Sequence, residues 1–222
     1  MVEYYIIGAG GQSRQVLSMV RKVWPNSTVL GFIGLEEEKD RVINGVKVLV
    51  ESELEAAKKN EVFLLNGLGR PNRSSVIEKL LNLGFSFHTI IHSSANIGEA
   101  VSIGNGTIIQ SGVGVMTNVE IGKFVLVDMN STIGHDVSIG DYSTISTGVN
   151  IAGGVSIGNG CWIGSGTTII EGVSIGDNVL IGAGSVVTRD VKNNRLSYGV
   201  PAKTIREIMD VSLELMRNTK KL

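Results

Sequence analysis

From Ile91 to Val187 every sixth residue is Ile or Val, without a break. The run is Ile91, Ile97, Ile103, Ile109, Val115, Ile121, Val127, Ile133, Ile139, Ile145, Ile151, Ile157, Ile163, Ile169, Ile175, Ile181 and Val187, which is 17 positions, 14 Ile and 3 Val. A period of six fits neither a helix nor a simple alternating strand. It fits a short strand and a turn, repeated, with one large apolar side chain per repeat always pointing the same way. The residue two before each large one is small or β-branched, as in Val113, Ser131, Val149 and Cys161. Each repeat therefore turns one large and one smaller side chain inward. The residue after the large one is often Gly, as in Gly98, Gly104, Gly122, Gly134 and Gly164. These glycines are expected to supply the left-handed backbone of tight corners.

Ahead of the repeat the periodicity changes. Glu3–Ile7 reads as a buried strand that runs into Gly8-Ala9-Gly10-Gly11-Gln12-Ser13. Ser13 is expected to cap a helix reaching about Val23, which Trp24-Pro25-Asn26-Ser27 ends. Thr28–Ile33 reads as a second strand and Val42–Val50 as an extended, hairpin-like segment around Asn44-Gly45. A short helix is expected over Glu51–Lys59 and a third strand over Glu61–Leu65, entering Asn66-Gly67-Leu68-Gly69. A helix from Pro71 or Asn72 stops at Gly84, and Phe85–Ile90 is a last strand. Alternating strands and helices indicate a small parallel α/β domain. After the repeat, Thr204–Arg217 has helical spacing and is expected to cap the open end of the coils.

Twenty basic and 21 acidic residues leave the chain near neutral, which argues against a nucleic-acid or polybasic membrane partner. The one cysteine, Cys161, sits at an inward repeat position and reads as core. No signal peptide and no run of about 20 apolar residues is seen, so the expected compartment is the cytoplasm and no membrane partner is expected.

Candidate chemistry lies where the repeat is interrupted. Gly134-His135-Asp136 stands out, because His135 follows the inward Ile133 and its Gly and should point outward at a corner. An imidazole titrates near neutrality, and an adjacent carboxylate orients the ring and favours the imidazolium that forms. His88 and His92 lie before or at the start of the repeat and read as structural. In the Gly8–Ser13 loop, backbone N–H groups between strand and helix favour an anion such as a phosphate. Ser13 stands where the dinucleotide fingerprint has its third Gly, so a full NAD site is not expected.

These features together resemble the acetyl-CoA-dependent sugar acetyltransferases of the hexapeptide-repeat class: sialic acid O-acetyltransferases and nucleotide-amino-sugar N-acetyltransferases. The resemblance covers residues 2 to about 206. It is carried by the Gly-Ala-Gly-Gly loop, Thr89–Ala95, His135-Asp136, Ile181–Asp190 and Gly199-Val200-Pro201-Ala202-Lys203. It implies a Rossmann-like domain over 1–88, a left-handed parallel β-helix over 89–203 with three repeats per triangular coil, and a C-terminal helix over 204–222. Coils spaced by roughly 4.8 Å would stack to a prism about 27 Å tall. The resemblance further implies a homotrimer with an active site between two subunits. His135 would be the general base and Asp136 its partner, with acetyl-CoA against Thr144, Gly153, Ser165 and Ala183. The nucleotide sugar would lie against Gly10, Gly11, Gln12, Gly34, Leu35, Gly67 and Gly69, and no metal is expected. Members commonly carry His where this chain has Gln12, and acidic residues where it has Gly34-Leu35.

The leading expectation is acetyl transfer to the amine of a nucleotide-linked amino sugar. Transfer to a hydroxyl of sialic acid or a related nonulosonate would use the same base. A non-catalytic nucleotide-sugar-binding scaffold would keep the fold without needing His135. A β-helix carbonic anhydrase would need several His ligands to zinc, and the repeat holds one His beyond its opening rung.

Overall fold

The computed structural model describes residues 2–55, 61–70 and 73–219. The chain divides into two compact units. One holds the described residues up to Gly69 together with Arg73–Ser93, and the other holds Arg70 and the residues from Ser94 onward.

The first unit is a five-stranded sheet with helices. Its elements run β1 (Glu3–Ile7), α1 (Gly11–Val23), β2 (Thr28–Ile33), β3 (Val42–Ile43), β4 (Val46–Leu49), α2 (Glu51–Glu55), β5 (Val62–Asn66) and α3 (Ser74–Asn82). The strand order is β3-β4-β2-β1-β5, and all pairs are parallel except β3 with β4. The antiparallel pair turns at Asn44 and Gly45, both with positive φ, the pattern expected of a two-residue hairpin loop. Ile6, Val16, Leu17, Phe32, Leu64 and Ile77 form its core, each at most 1 % exposed. Gly84 ends α3 with φ 89. The expected starts of that helix at Pro71 or Asn72, and the last residues of the helix over Glu51–Lys59, lie outside the described residues.

Two readings in this unit change. Ser13 does not cap α1. Gly10 holds the N-cap position, and the buried Ser13 hydroxyl instead donates to the Gly67 carbonyl at 3.0 Å. That bond ties the first turn of α1 to the loop after β5. The segment Phe85–Ile90 is not a continuous strand, since it makes one bridge from Phe87 to Leu64 and a two-residue strand at Ile90–Ile91.

The second unit is a parallel β-helix of two-residue strands. Ile133 pairs with Val115 on one side and Ile151 on the other, 18 residues away each way. The same offset holds on the other faces, as in Ile139 with Ile121 and Ile157, and Ile145 with Val127 and Ile163. One sheet has six strands, from Asn96–Ile97 to Val186–Val187, and a second has five, from Ser102–Ile103 to Ser174–Ile175. The third runs through Ile108–Ile109, Thr144–Ile145 and Leu180–Ile181. Large and small inward positions are buried together, as in Ile145, Val149, Cys161 and Ile163, each 0 % exposed. Inward hydroxyls are satisfied by backbone carbonyls: Ser131 donates to Ser146 and Ser143 to Gly158.

The corners are not where the glycines after each Ile suggest. Positive φ falls three residues after the large position, in an unbroken six-residue series from Ala100 to Gly184 that includes Gly106, Asn118, Asp136, Gly148, Asn178 and Gly184. The glycines directly after Ile have another cause. A Cβ on Gly104 would stand 2.5 Å from the Gly122 backbone, and one on Gly164 would stand 2.5 Å from the backbone N of Ala183. Successive coils approach too closely there for any side chain.

The C-terminal segment also departs from expectation. Ala202–Glu207 is a strand, antiparallel to Arg195–Gly199, and this hairpin extends the third sheet past the last coil. The helix α4 (Val211–Thr219) starts later because Asp210 accepts the Leu213 N–H at 2.9 Å, an N-cap that Thr204 does not make. Val211 and Leu215 pack against Leu180 and Trp162, outward residues of the third sheet. The hairpin continues the end of the prism, and the helix lies along its side.

Candidate active site

His135 leaves the prism between an inward Ile133 and a left-handed corner at Asp136, where φ is 58. Gly134 is required between them, because a Cβ there would meet the Ala152 carbonyl carbon at 2.6 Å. The imidazole is half-exposed, and its Nδ1 lies 2.8 Å from Asp136 Oδ2. The hydrogen bond from His135, and then one from Asn118, hold the Asp136 carboxyl below the usual carboxylate range. A carboxylate only accepts, so Nδ1 carries the proton and Nε2 of the neutral ring keeps its lone pair. The ring lies over Gly153, one coil on, where a Cβ would stand 2.6 Å from both Cε1 and Nε2. Beside it opens a groove of about 450 Å³, lined by Gly114, Met116, Thr132, Ala152 and Gly153 among others. Met116 is 56 % exposed there. A Cβ on Gly114 would meet nothing within 4 Å, so backbone at this point borders open space.

The residues expected to hold acetyl-CoA do not all gather in one chain. Gly153 is buried beneath His135. Ser165 and Ala183 are exposed, one coil apart, beside the corners at Gly166 and Gly184 on an edge of the third sheet. Thr144 is 0 % exposed on that third sheet, so it does not reach the His135 groove within its own chain.

In the first unit the expected glycines separate into two kinds. Gly10 and Gly11 are exposed at the start of α1, where a Cβ would meet nothing within 4 Å and only Arg14 at 3.8 Å. Gly69 would meet only the Gln12 side chain, at 3.7 Å. Gly34 and Gly67 serve the fold instead. A Cβ on Gly34 would stand 2.7 Å from Val48, and one on Gly67 would stand 2.5 Å from the Ile7 carbonyl. Leu35 is 63 % exposed. Gln12 Nε2 is buried with no hydrogen-bond partner, and so is Nδ2 of Asn66, whose Oδ1 accepts the Leu68 N–H at 3.0 Å. Buried amide donors of this kind ordinarily have partners. Asn66 and Asn118 were not legible as site residues, because each owes its place to chain far away in sequence.

His88 stacks on Phe63 with ring centroids 3.7 Å apart, and its Nδ1 is 3.1 Å from the Tyr4 hydroxyl. His92 is 7 % exposed. Both belong to the packing of the first unit. Among the described residues, no group of three or more His, Cys, Asp or Glu could hold a metal ion, and no helix is long and apolar enough to cross a membrane.

The bacterial transferase hexapeptide (six repeats) family model matches residues 118–153 and 154–189. No curated protein sequence matches the chain. Among solved structures, a histidine-to-asparagine mutant of perosamine N-acetyltransferase from Caulobacter crescentus, in complex with CoA and GDP-perosamine, is similar with a TM-score of 0.87 at 28% identity, covering 93% of this chain and 98% of its own. PerB from the same organism, with the same two ligands, gives 0.86 at 29% identity over 93% and 98%. The acetyltransferase domain of PglB from Neisseria gonorrhoeae, in complex with acetyl coenzyme A, gives 0.84 at 24% identity over 91% and 98%, a likeness of fold. With its six-residue repeat, 18-residue coils and small α/β unit ahead of them, the chain shares the fold of these acetyltransferases, and its residues 118–189 match the bacterial transferase hexapeptide model.

Proposed function

We propose that the protein is an acetyl-CoA-dependent acetyltransferase that acts on the amine of a nucleotide-linked amino sugar, with His135 as general base. The observation that carries this is the His135–Asp136 pair: Nδ1 is held by a carboxylate at 2.8 Å and the ring lies over Gly153 at the edge of the groove. The relatives solved with CoA and GDP-perosamine support the choice of substrate class.

Acetyl-CoA supplies an activated thioester. His135 Nε2 accepts the proton of the attacking amine, and Asp136 stabilises the imidazolium that forms. The imidazolium then holds that proton for the departing thiolate. In the first unit the open backbone at Gly10, Gly11 and Gly69, with the unpartnered amides of Gln12 and Asn66, supports recognition of the polar nucleotide. Gln12 offers a neutral amide donor, and the acidic side chain beside Gly34-Leu35 is that of Glu38, whose Oε2 accepts the Leu35 N–H at 3.2 Å.

The reading includes a homotrimer working in the cytoplasm. Ser165 and Ala183 lie on a different edge from His135, so a neighbouring copy is needed to bring that edge to the groove. Light scattering that gives a monomer at assay concentration would contradict this.

The test is CoA release from acetyl-CoA across a panel of nucleotide-linked amino sugars and sialic acids, with wild type beside His135→Ala. Turnover of one amino-sugar nucleotide, lost in the variant while the fold persists, is expected. Turnover of sialic acid alone would move the reading to O-acetylation. Full activity in His135→Ala would remove the base.

A further inference from the structure

We propose that Asn118 is a positioning residue for the base, holding the Asp136 carboxylate in the plane that orients His135. The inference rests on the reading of His135 given above. Asp136 offers two oxygens, and both are engaged. Oδ2 lies 2.8 Å from His135 Nδ1, and Oδ1 accepts from Asn118 Nδ2 at 3.2 Å. Asn118 stands one coil before Asp136, at the equivalent left-handed corner, with φ 57 against 58. Its own position is set by backbone: Asn118 N–H donates to the Glu99 carbonyl at 3.1 Å, and Asp136 N–H to the Thr117 carbonyl at 3.2 Å. The donor thus sits on the rigid stack and the acceptor is half in solvent.

A half-exposed carboxylate held at one oxygen can rotate and exchange its His for water. Held at both, it keeps Oδ2 on Nδ1, which keeps the proton on Nδ1 and the lone pair on Nε2. The competing explanation is plain coil stacking. Ladders of the same kind occur away from the groove, where Asn159 donates to Asp177 at 2.9 Å and Asn178 to Asn194 at 2.6 Å. Among the described residues, only at Asn118 is the accepting carboxylate's other oxygen committed to an imidazole, so the two explanations separate by experiment.

Asn118→Gly deletes the side chain at a corner whose backbone suits Gly. Asn118→Asp keeps the shape but replaces the donor with a carboxylate facing Asp136. Asn159→Ala is the control, removing the donor of the Asn159–Asp177 ladder away from the groove. Asn118→Gly should lose roughly tenfold in kcat, the order of one hydrogen bond to a charged group, with KM for both substrates within about twofold. Asn118→Asp should lose at least as much, and Asn159→Ala should keep wild-type kcat. Without substrate, nitrogen NMR of the His135 ring should show the Nδ1–H tautomer dominant in wild type and mixed in Asn118→Gly. Wild-type kcat in both Asn118 variants while His135→Ala is inactive would overturn the positioning role and leave the base intact. So would an unchanged tautomer ratio in Asn118→Gly, even if activity falls. Full activity in His135→Ala would overturn the base itself, and the tautomer ratio would still decide whether Asn118 orients the ring.

Discussion

Gly153→Ala tests the site more sharply than removing the histidine does. The added Cβ would stand 2.6 Å from His135 Cε1 and Nε2 and 3.1 Å from Cδ2. Carbon contacts settle near 3.5–4.0 Å, so the ring must move by about 1 Å. It is free to do so, because the His135 side chain is 50% exposed and the atoms it meets belong to a side chain rather than to backbone. Gly153 has no positive φ, so Ala fits its backbone and reduces the freedom of the unfolded chain. Thermal stability should therefore stay level or rise slightly. Catalysis should not: a misplacement of about 1 Å in a catalytic group costs up to about 100-fold. The assay is steady-state CoA release, with kcat and KM resolved for each substrate and a thermal melt of each variant. A fall in kcat with little change in KM is expected. Wild-type kcat would refute the placement of the ring over Gly153. A fall confined to the KM for acetyl-CoA would assign Gly153 to the cofactor instead, as the family resemblance implies.

Gly134→Ala makes the contrast. Its Cβ would meet the Ala152 and Gly153 backbone at 2.6 Å, which cannot yield, so the prism should lose about 3 kcal/mol or more and the melting temperature should fall clearly. Cys161 is fully buried, and burial pushes its thiol up to about 12, so a thiol reagent should leave it untouched in the native protein and label it only on unfolding. The same reagent can then follow CoA release without a background from the enzyme. Burial lowers the pKa of His88 and, with Lys22 as the second cause, that of His92. The unfolded chain binds those protons at about 6.5, so stability is full above that pH and is lost as pH falls through it toward the lower folded values. Melting at about pH 5.5 should be lower than near neutrality. His88→Phe, which keeps the stack on Phe63, should flatten part of that slope.

Strands that owe their form to local pattern were legible to the residue: β1 and β2 fall on Glu3–Ile7 and Thr28–Ile33, and every large repeat position except those of the first rungs is buried. The corner was misread because two glycine-rich positions compete in each repeat. From residue 100 to 184 the position three after the large one carries Gly, Asn or Asp with only Ala100, Phe124 and Tyr142 as exceptions, and never a β-branched residue. That exclusion is the signal of a left-handed backbone. The exceptions hide it. Phe124 and Tyr142 are accommodated by stacking on each other, with centroids 5.3 Å apart and planes 9° from parallel, over the space that Gly106 leaves empty. Thr204–Glu207 was misread for the opposite reason. Ile205, Ile208 and Met209 have helical spacing, but pairing with Arg195–Gly199 decides the conformation, and no local pattern reports a partner across a turn.

The chemistry of this unit is written at intervals of 18, the length of one coil. His135 and Asp136 are neighbours in sequence, so the pair was legible. Gly153 lies 18 residues after His135 and Asn118 lies 18 before Asp136, and neither relation shows until the coil length is known. Once it is, each outward position has two neighbours whose identities can be read directly from the sequence. On the proposed reading the base is set by three coils at once: the one that bears it, the one before it that holds its carboxylate, and the one after it that must be bare. Gly at 153 and Asn at 118 are the residues this geometry asks for. A large side chain at 153 would evict the ring, and a carboxylate at 118 would repel Asp136. The rigidity that makes such placement dependable comes from the Ile column inside. The same stacking that buries Ile133 between Val115 and Ile151 sets Thr117, His135 and Gly153 in register on the surface.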